Sequence, residues 1–381
     1  MLAQSTFDHP SKVGETTSMR PAIAHIHLQN LLHNYQLLRQ RAEHAQIMAV
    51  VKADAYGHGL KCISQILQQA GCDYFAVTDA AEGAQLRRYL GEKAHIILLS
   101  GLFESIEASV CETHRLTPVV TDEKHIRWLH NQGFTGKVWL KVDTGMQRLG
   151  AENPEEIIQS CHQHHIALAG IMSHLACADT PEHPLNSLQA DAFYQLHQDI
   201  APHLPASLLN SAGLIALPQH KHDMIRPGIA LYGAEPIPHE PMGLKPVMQL
   251  SGQVMQIRHV EQGSTLSYGA SYTAKKDMTI ALISLGYGDG LPRALSNQGY
   301  AEFQGQHLPI VGRICMDYCL LDVTNKTVNI DDAVTFWGET LSPNTVANLL
   351  DTIPYTLMTG INQRVHRIPI YPKTRADGAS G

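Results

Sequence analysis

IMAVVKADAYGHG, residues 47–59, decides the fold, because an uninterrupted apolar run leads directly into a lysine and a glycine-rich turn. Short apolar runs of this kind are typical of strands buried on both faces, as in parallel sheets. Similar runs recur before residue 233 and bring the total to eight. They are YFAV (74–77), IILL (96–99), TPVV (117–120), KVWLKV (137–142), LAGIM (168–172), SLLNS (207–211) and MIRPGIALY (224–232).

Segments with helix-forming character separate several of these runs. Examples are LKCISQILQQA (60–70), AAEGAQLRRYL (80–90) and DAFYQLHQDI (191–200). Apolar strands that alternate with amphipathic helices indicate parallel βα units. Eight such units predict an α/β fold built on a closed (β/α)8 TIM-type barrel, with a doubly wound open sheet as the alternative.

The pattern changes after residue 244, where strand-like segments follow one another and alternate apolar with polar residues. This alternation predicts a smaller C-terminal domain that is mostly antiparallel β. The expected organisation is a flexible tail over 1–18, the barrel over 19–244 and the β domain over 245–381. The strand-like segments are MQLSGQVMQIRHV (248–260), MTIALISLG (278–286), YAEFQGQHLPIVGRI (300–314) and YCLLDVT (318–324).

Composition excludes several classes of protein. The 381 residues are 44% hydrophobic and carry a net charge of -7, which favours a folded core and disfavours binding to nucleic acid. Seven scattered cysteines indicate a reduced, cytoplasmic protein rather than a disulfide scaffold. Because no apolar run approaches the ~18 residues of a membrane helix and no signal-peptide pattern is evident, we expect neither membrane insertion nor secretion.

Polar and glycine residues gather where the predicted barrel strands end, which is where barrel enzymes place their functional groups. Lys52 leaves an apolar strand, and burial favours the neutral amine that Schiff-base chemistry requires, although a surface lysine at a strand end is the simpler alternative. Tyr56, Ser211 and Gly228 could form a phosphate pocket, and a lysine beside such a pocket suggests pyridoxal phosphate (PLP). The strand-end motifs are KADAYGHG (52–59), KVDTGMQRLG (141–150), SHLACAD (173–179), NSAG (210–213) and RPG (226–228).

Together with three later motifs, these segments resemble the alanine racemases, in the same order and across residues 20–370. The later motifs are LSYGASY (266–272), GYGDGLPR (286–293) and GRICMD (312–317). The resemblance implies a PLP-dependent racemase of alanine that supplies D-alanine for peptidoglycan or serves alanine catabolism. Lys52 would carry PLP and act as the base for the D-enantiomer, and Tyr268 would be the opposite base. Tyr268 would enter from the partner subunit of a head-to-tail homodimer with shared active sites.

The resemblance also implies the residues that bind the cofactor. Arg226 would donate a hydrogen bond to the pyridine nitrogen, with His174 beneath it. Because an arginine does not readily supply a proton, the ring nitrogen would stay neutral. The phosphate would be bound by Tyr56, Ser211, Gly228 and Ile229.

Substrate contacts follow from the same resemblance. Arg148 and the backbone of Met316, the latter from the partner subunit, would lie at the substrate carboxylate. Lys141 would position Arg148 as a carbamate, and an ordinary lysine paired with Asp143 is the alternative. Further residues would support the site or line the substrate entrance: Asp179, Tyr287, Arg293, Arg313 and Asp317.

One departure concerns a tyrosine that some family members place before a late Arg-Val pair. Gln363 stands there in this sequence, so no tyrosine–phosphate contact is expected from that position, and Tyr355 is expected to be structural. HQHH (162–165) lacks acidic or cysteine partners at ligand spacing, so no metal is expected. Cys315 and Cys319 are expected to be packing residues.

Other functions are compatible with parts of the sequence. A racemase of the same family could act on serine or on a basic amino acid. A PLP decarboxylase of diamino acids shares the barrel, and Cys315 with Asp317 keeps that alternative open. A non-catalytic PLP-binding protein would resemble the barrel alone, and the C-terminal domain with Tyr268 argues against it.

Overall fold

The computed structural model describes residues 20–372. The first elements are strand β1 (Ile23–His27) and helix α1 (Leu28–Ala42). Eight parallel strands then form a closed barrel, as the spacing of the apolar runs predicts. These are β2 (Gln46–Val50), β3 (Tyr74–Val77), β4 (His95–Leu98), β5 (Thr117–Val120), β6 (Lys137–Lys141), β7 (Ala167–Met172), β8 (Ala206–Asn210) and β9 (Met224–Arg226).

Helices connect the barrel strands and cover the barrel from outside. The barrel closes where β9 pairs with β2, through Gln46 with Met224 and Ile47 with Ile225. The helices are α3 (Leu60–Gln69), α4 (Ala80–Leu90), α5 (Glu107–Thr113), α6 (Glu123–Asn131), α7 (Pro154–Gln163), α8 (Leu185–Ile200) and α9 (Gly213–Ala216). The short element α2 (Lys52–Tyr56) is not a regular helix, because Ala53, Asp54 and Ala55 have left-handed φ and ψ.

Strand β9 is shorter than the sequence predicts. MIRPGIALY was expected to be extended to residue 232, but β9 ends at Arg226 and a 3-10 helix covers Ile229–Tyr232. Pro227 has no N–H to donate to a neighbouring strand, and its carbonyl accepts a hydrogen bond from Val50 N at 3.0 Å. The barrel rim is therefore built from turns here.

The second domain is a mostly antiparallel sheet with two short helices, as the alternating pattern predicts. The first half of its long strand β10 pairs with β17, and the second half pairs with β13. A register irregularity near Val254 separates the two halves. The elements are β10 (Met248–Val260), β11 (Thr265–Leu266), β12 (Tyr272–Thr273), β13 (Met278–Ile283), β14 (Tyr300–Phe303), β15 (Gln306–Pro309), β16 (Cys319–Asp322), β17 (Ala333–Trp337), α10 (Pro343–Leu349), α11 (Pro354–Thr359) and β18 (His366–Ile370).

Strand β1 lies in this second sheet, although the sequence assigned the range 19–244 to the barrel. It pairs antiparallel with β10 and parallel with β18. Ala24 and Ile26 are buried, and the residues that alternate with them are partly exposed. This one-sided burial suits a mixed sheet better than a barrel strand covered on both faces. Between residues 20 and 372, no helix is long and apolar enough to cross a membrane.

Gly233 permits the close contact between the end of the barrel and the segment that leads into β10. Its φ is +82°, and a Cβ on this residue would lie 1.8 Å from the carbonyl oxygen of Lys245. We expect Gly233→Ala to lower the free energy of unfolding by roughly 2–5 kcal/mol, measured by denaturant titration.

The matched control is Gly243→Ala, because Gly243 has a similar φ of +79° and nothing within 4 Å of an added Cβ. It should cost only the backbone strain, about 1–2 kcal/mol. Equal losses in the two variants would contradict the packing argument.

Candidate active site

A left-handed turn follows strand β2 and begins at Lys52. Ala53, Asp54, Ala55 and Tyr56 all have positive φ values, of 53°, 53°, 55° and 53°. Residues with a Cβ avoid this conformation, which costs roughly 1–2 kcal/mol per residue. The turn must therefore be stabilised by contacts from elsewhere.

The second domain supplies some of these contacts at the end of the turn. Gly57 has a φ of +77°, and a Cβ there would lie 2.3 Å from the carbonyl oxygen of Met358 in α11. Arg367 in β18 donates from Nε to the carbonyl oxygen of Gly57 at 2.7 Å. Because the Gly57 backbone has a positive φ and lies close to the Met358 carbonyl, only glycine fits at position 57.

His58 is fully buried and stabilises the turn from the barrel side. Its Nδ1 lies 3.0 Å from the carbonyl oxygen of Ala55 and 2.9 Å from that of Tyr56, so Nδ1 carries the proton and donates. Burial lowers the pKa of His58 to about 4, which keeps the ring neutral. The His58 ring stacks on Tyr232 at 4.6 Å, Tyr232 on Tyr56 at 4.7 Å, and Tyr56 contacts Tyr355 at 5.7 Å.

Tyr56 meets the ends of β8 and β9 in a cradle that suits a phosphate. A Cβ on Gly228 would lie 2.5 Å from the Tyr56 hydroxyl, so the absence of a side chain lets this hydroxyl approach the Gly228 backbone. The Ser211 hydroxyl accepts hydrogen bonds from the backbone N of Gly228 at 3.0 Å and of Ala230 at 3.3 Å. Ile229 is buried at the start of the 3-10 helix. Hydroxyls and backbone N–H groups converge here, and such groups bind phosphate at barrel strand ends.

Arg226 lies at the carboxyl end of β9 and is buried. It donates to Ser207 Oγ at 2.6 Å, to the carbonyl oxygen of Leu208 at 3.1 Å, to that of Ser173, and to His174 Nδ1 at 3.3 Å. Burial, with a smaller effect of Arg148, lowers the pKa of Arg226 to about 10. Over residues 20–372, no carboxylate pairs with this guanidinium.

Several basic groups influence one another around Lys52. Burial lowers the pKa of the Lys52 amine, Arg148 lowers it further, and a carboxylate on α4 partly offsets both. Burial and the charges of Arg226, Arg148 and Lys52 lower the pKa of Lys141 to about 7. Burial and the same cations hold the pKa of His174 well below its usual value, so His174 is neutral. The cluster therefore favours anionic ligands such as phosphate and carboxylate.

Lys141 does not form an ion pair with Asp143. Its Nζ donates to the carbonyl oxygen of Leu99 at 3.2 Å. The Asp143 carboxylate instead accepts from the backbone N–H groups of its own loop, at Gly145, Gln147 and Arg148. Asp143 thus shapes the loop that presents Arg148, which is exposed.

Tyr268 lies apart from this group, on the surface of the second domain. Its side chain is 69% exposed, and no hydrogen bond or ring contact in residues 20–372 joins it to Lys52. Its loop packs on the segment of Arg313, because Ser267 Oγ donates to the carbonyl oxygen of Arg313 at 2.5 Å. Arg313 is also exposed, so both side chains are available to another molecule.

Met316 and Tyr287 belong to the same surface. Met316 is 52% exposed and Tyr287 42% exposed. Arg364 anchors the Met316 loop: it donates to the carbonyl oxygen of Met316 at 3.2 Å and pairs with Asp317 and Asp289, at 2.7 Å each. Asp317 therefore stabilises the loop that carries Met316.

The remaining predicted residues lie at different places. Asp179 is exposed in the loop after β7. Burial, together with the nearby Asp179 carboxylate, raises the pKa of the Tyr355 hydroxyl to about 12. Arg293 is exposed at the start of a 3-10 helix in the second domain. Gln363 is exposed, and Tyr355 contacts the Tyr56 ring from α11.

The HQHH segment belongs to α7 and the turn after it, and no group of three or more metal-ligating side chains in residues 20–372 is placed to hold an ion. Cys319 is buried in β16, and Cys315 lies 3.6 Å from Ser267 Oγ.

Sequence reasoning missed several residues that shape the turn: His58, Glu82, Tyr232 and Arg367. His58 stands within the KADAYGHG motif between two glycines, and this position could have identified it as a residue of the turn. Arg367 acts from the other domain, more than 300 residues away, and no local pattern points to it.

Comparisons with known proteins agree with this architecture. Residues 26–236 match the family model of the alanine racemase N-terminal domain, and residues 247–369 match that of the alanine racemase C-terminal domain. The alanine racemase of Nitrosococcus oceani is 37% identical over 349 residues, covering 88% of this chain and 96% of that protein. The catabolic alanine racemase of Agrobacterium fabrum is 39% identical over 358 residues, covering 91% and 92%.

Solved structures give the same result. The biosynthetic alanine racemase from Pseudomonas aeruginosa superposes with a TM-score of 0.87 at 34% identity, covering 93% of this chain and 100% of that one. The alanine racemase from Bartonella henselae with covalently bound pyridoxal phosphate gives 0.86 at 34% identity, covering 92% and 99%. Fold and site together define a two-domain barrel enzyme. The chain belongs to the alanine racemase family, whose members are isomerases.

The lowered pKa of Lys141 makes stability depend on pH. The folded protein releases this proton near pH 7, whereas an unfolded lysine keeps it up to about pH 10.5. Between these values the unfolded chain binds more protons, so stability rises with pH, by at most about 1.4 kcal/mol per pH unit from this group. We therefore expect Lys141→Met to stabilise the PLP-free protein most below pH 7, with a gain that shrinks from pH 7 toward pH 9.

The measurement is denaturant unfolding in carbonate-free buffer at several pH values. Lys137→Met, at the exposed other end of β6, is the control, and its effect should not change over this range. A pH-independent effect of Lys141→Met would show that Lys141 stays charged in the fold.

Proposed function

We propose that this chain interconverts L-alanine and D-alanine, with PLP carried by Lys52 and with Lys52 and Tyr268 as the two bases. Membership of the alanine racemase family supports racemisation of alanine. The observation that carries the proposal is the placement of Lys52 at the end of β2 beside the cradle of Tyr56, Ser211 and Gly228. A lysine and an anion cradle on one barrel rim suit a phosphorylated aldehyde cofactor.

The residues present fit this cofactor along its whole length. Tyr56, Ser211, Gly228 and Ile229 would hold the phosphate, and Lys52 would form the covalent bond. Arg226 would donate to the ring nitrogen, and His174 would accept from Arg226 and keep it oriented. Since Arg226 has no carboxylate partner in the described chain, a neutral ring nitrogen is the acceptor that suits it.

Proton transfer at the substrate is assigned to two side chains on opposite faces. When bound, PLP withdraws electrons from the substrate Cα and so makes its proton more acidic. Lys52 would take or return this proton on one face, helped by the lowered pKa of its amine. The Tyr268 hydroxyl would do the same on the other face. Arg226 holds its own proton firmly, which limits electron withdrawal by the ring and favours return of the proton to Cα.

A head-to-tail homodimer with shared sites would bring Tyr268 to Lys52 of another copy. Tyr268, Tyr287, Met316 and Tyr318 are each more than 40% exposed. Their loops are adjacent, because Ser267 Oγ donates to the carbonyl oxygen of Arg313 and Tyr287 N donates to that of Cys315. Exposed apolar side chains on adjacent loops favour a protein contact. Across this contact Met316 and Arg148 would bind the substrate carboxylate. The entrance would be lined by Asp179, Arg293 and Arg313, with Tyr287 and Asp317 in support.

Lys141 is proposed to be carbamylated and to position Arg148. Carbon dioxide combines with a neutral amine and releases a proton, and the pKa of about 7 makes this form available near neutral pH. The carbamate would place a negative charge among Arg148, Arg226 and Lys52.

The cellular role is proposed to be supply of D-alanine for peptidoglycan or catabolism of alanine. The similar proteins include both a biosynthetic and a catabolic enzyme, which supports either use. A cytoplasmic location is proposed because all seven cysteines are free, and four of them are buried.

The central test is Cα deuterium exchange of L-alanine in heavy water together with loss of optical rotation. We expect the wild type to racemise and incorporate deuterium. Lys52→Ala should lose both the lysine-bound PLP absorbance and activity, and Tyr268→Phe should keep PLP but lose more than about a hundredfold in racemisation. If the wild type binds PLP but leaves alanine unchanged while racemising serine or a basic amino acid, the substrate assignment is wrong.

Shared sites predict complementation between two inactive variants. Mixed dimers of Lys52→Ala and Tyr268→Phe contain one intact site, because each chain supplies what the other lacks. Equal amounts that are unfolded and refolded together should recover about a quarter of wild-type activity. Each variant refolded alone is the control. No recovery, with mixed dimers present by mass, would place Tyr268 in the same subunit's site or outside the site.

A further inference from the structure

Glu82 joins the ends of two barrel strands at the turn that begins with Lys52. It lies in the first turn of α4, which follows β3. Its Oε1 accepts a hydrogen bond from Ala53 N at 2.6 Å, and its Oε2 accepts one from Thr78 N at 2.9 Å. The carboxylate therefore ties the residue after Lys52 to the residue after β3.

This geometry differs from ordinary helix capping. Asp79 caps α4 by accepting from Glu82 N at 2.9 Å. A glutamate three residues after the cap usually turns back to the cap residue's own backbone N–H. Glu82 reaches past that position to Thr78 and to another βα unit at Ala53. One of its two oxygens is thus committed to the left-handed turn.

Glu82 also differs in charge from the other groups that face Lys52. Those groups are Arg148 and Lys141, which carry or can carry positive charge, and the neutral His174. Among the titratable side chains that influence Lys52 in residues 20–372, Glu82 is the carboxylate. It opposes the effects of burial and of Arg148 on the amine.

We propose that Glu82 is a positioning residue for Lys52: its carboxylate fixes the start of the left-handed turn through Ala53 and balances the positive charge around the lysine. This inference rests on the proposed role of Lys52 as the PLP-bearing base. It assigns to Glu82 a function in cofactor binding beyond that of a helix cap. A neutral amide cannot replace it fully, because Gln has one acceptor oxygen for two N–H donors.

The test titrates the PLP-free protein with PLP and follows the absorbance of lysine-bound cofactor over a range of pH. Glu82→Gln should raise the dissociation constant of PLP about tenfold, because the N–H groups of Ala53 and Thr78 then share one neutral acceptor oxygen in place of a charged carboxylate. It should also shift the pH midpoint for formation of the lysine–PLP bond to a lower value. A purely structural role would not move this midpoint.

Glu82→Asp separates geometry from charge. The shorter side chain keeps the negative charge but cannot reach both N–H groups, so PLP should bind more weakly with a midpoint close to that of the wild type. If Glu82→Asp moves the midpoint as far as Glu82→Gln does, the charge part of the proposal is wrong. If Glu82→Gln fails to fold, Glu82→Asp alone carries the test, and wild-type affinity for PLP would overturn the positioning role.

Glu112→Gln is the matched control. Both oxygens of Glu112 accept hydrogen bonds from another segment, from Thr135 N and Thr135 Oγ1 at 2.8 Å each, on an exposed surface. Its affinity for PLP should stay within about twofold of wild type. Equal effects of Glu82→Gln and Glu112→Gln would refute the proposal. Lysine-bound absorbance that persists in Lys52→Ala would instead refute the proposed function.

Discussion

The left-handed turn from Ala53 to Tyr56 is the constraint on which the rest of the site depends. Four consecutive residues adopt a conformation that each would avoid alone. The turn sets the distance between Lys52 and Tyr56, and therefore between the proposed cofactor lysine and the proposed phosphate cradle. Strain at functional positions persists only where surrounding contacts over-determine it, and contacts from α4, from His58 and from the second domain do so here.

Electrostatics impose the second constraint. Arg226 is buried among neutral partners, and the basic groups near it lower one another's pKa values. Burying positive charge without an opposite charge is costly, so such a cluster is stabilised by the anions it binds. Burial, together with the same positive charges, lowers the pKa of the Lys52 amine and keeps His174 neutral. The proposed anion binding and the proposed base would therefore depend on one buried arrangement of charges.

The barrel strands could be predicted from the sequence because a strand buried on both faces is a continuous apolar run. Such a run can be recognised without knowing which strands it pairs with. Sequence reasoning missed β1, whose partners are β10 and β18, because pairing over such separations leaves no local pattern. The left-handed turn was equally hidden, since Ala53 and Tyr56 have no preference for positive φ. Strand-end residues such as Lys52 and Arg226 do meet on one rim. The roles of Tyr268 and Met316 stay a prediction, because they lie on a different surface of the chain.

Because β1 pairs with β18, a strand near the start of the chain gains this neighbour only when almost the whole chain has been synthesised. During translation the barrel strands leave the ribosome long before residues 358–370, which supply the contacts of Met358 and Arg367 to Gly57. Until these residues have been synthesised, the lysine turn lacks both supports and β1 lacks its neighbour β18. The turn that carries Lys52 is therefore fully supported only in the completed polypeptide, and a chain that ends before residue 358 would lack both contacts to Gly57.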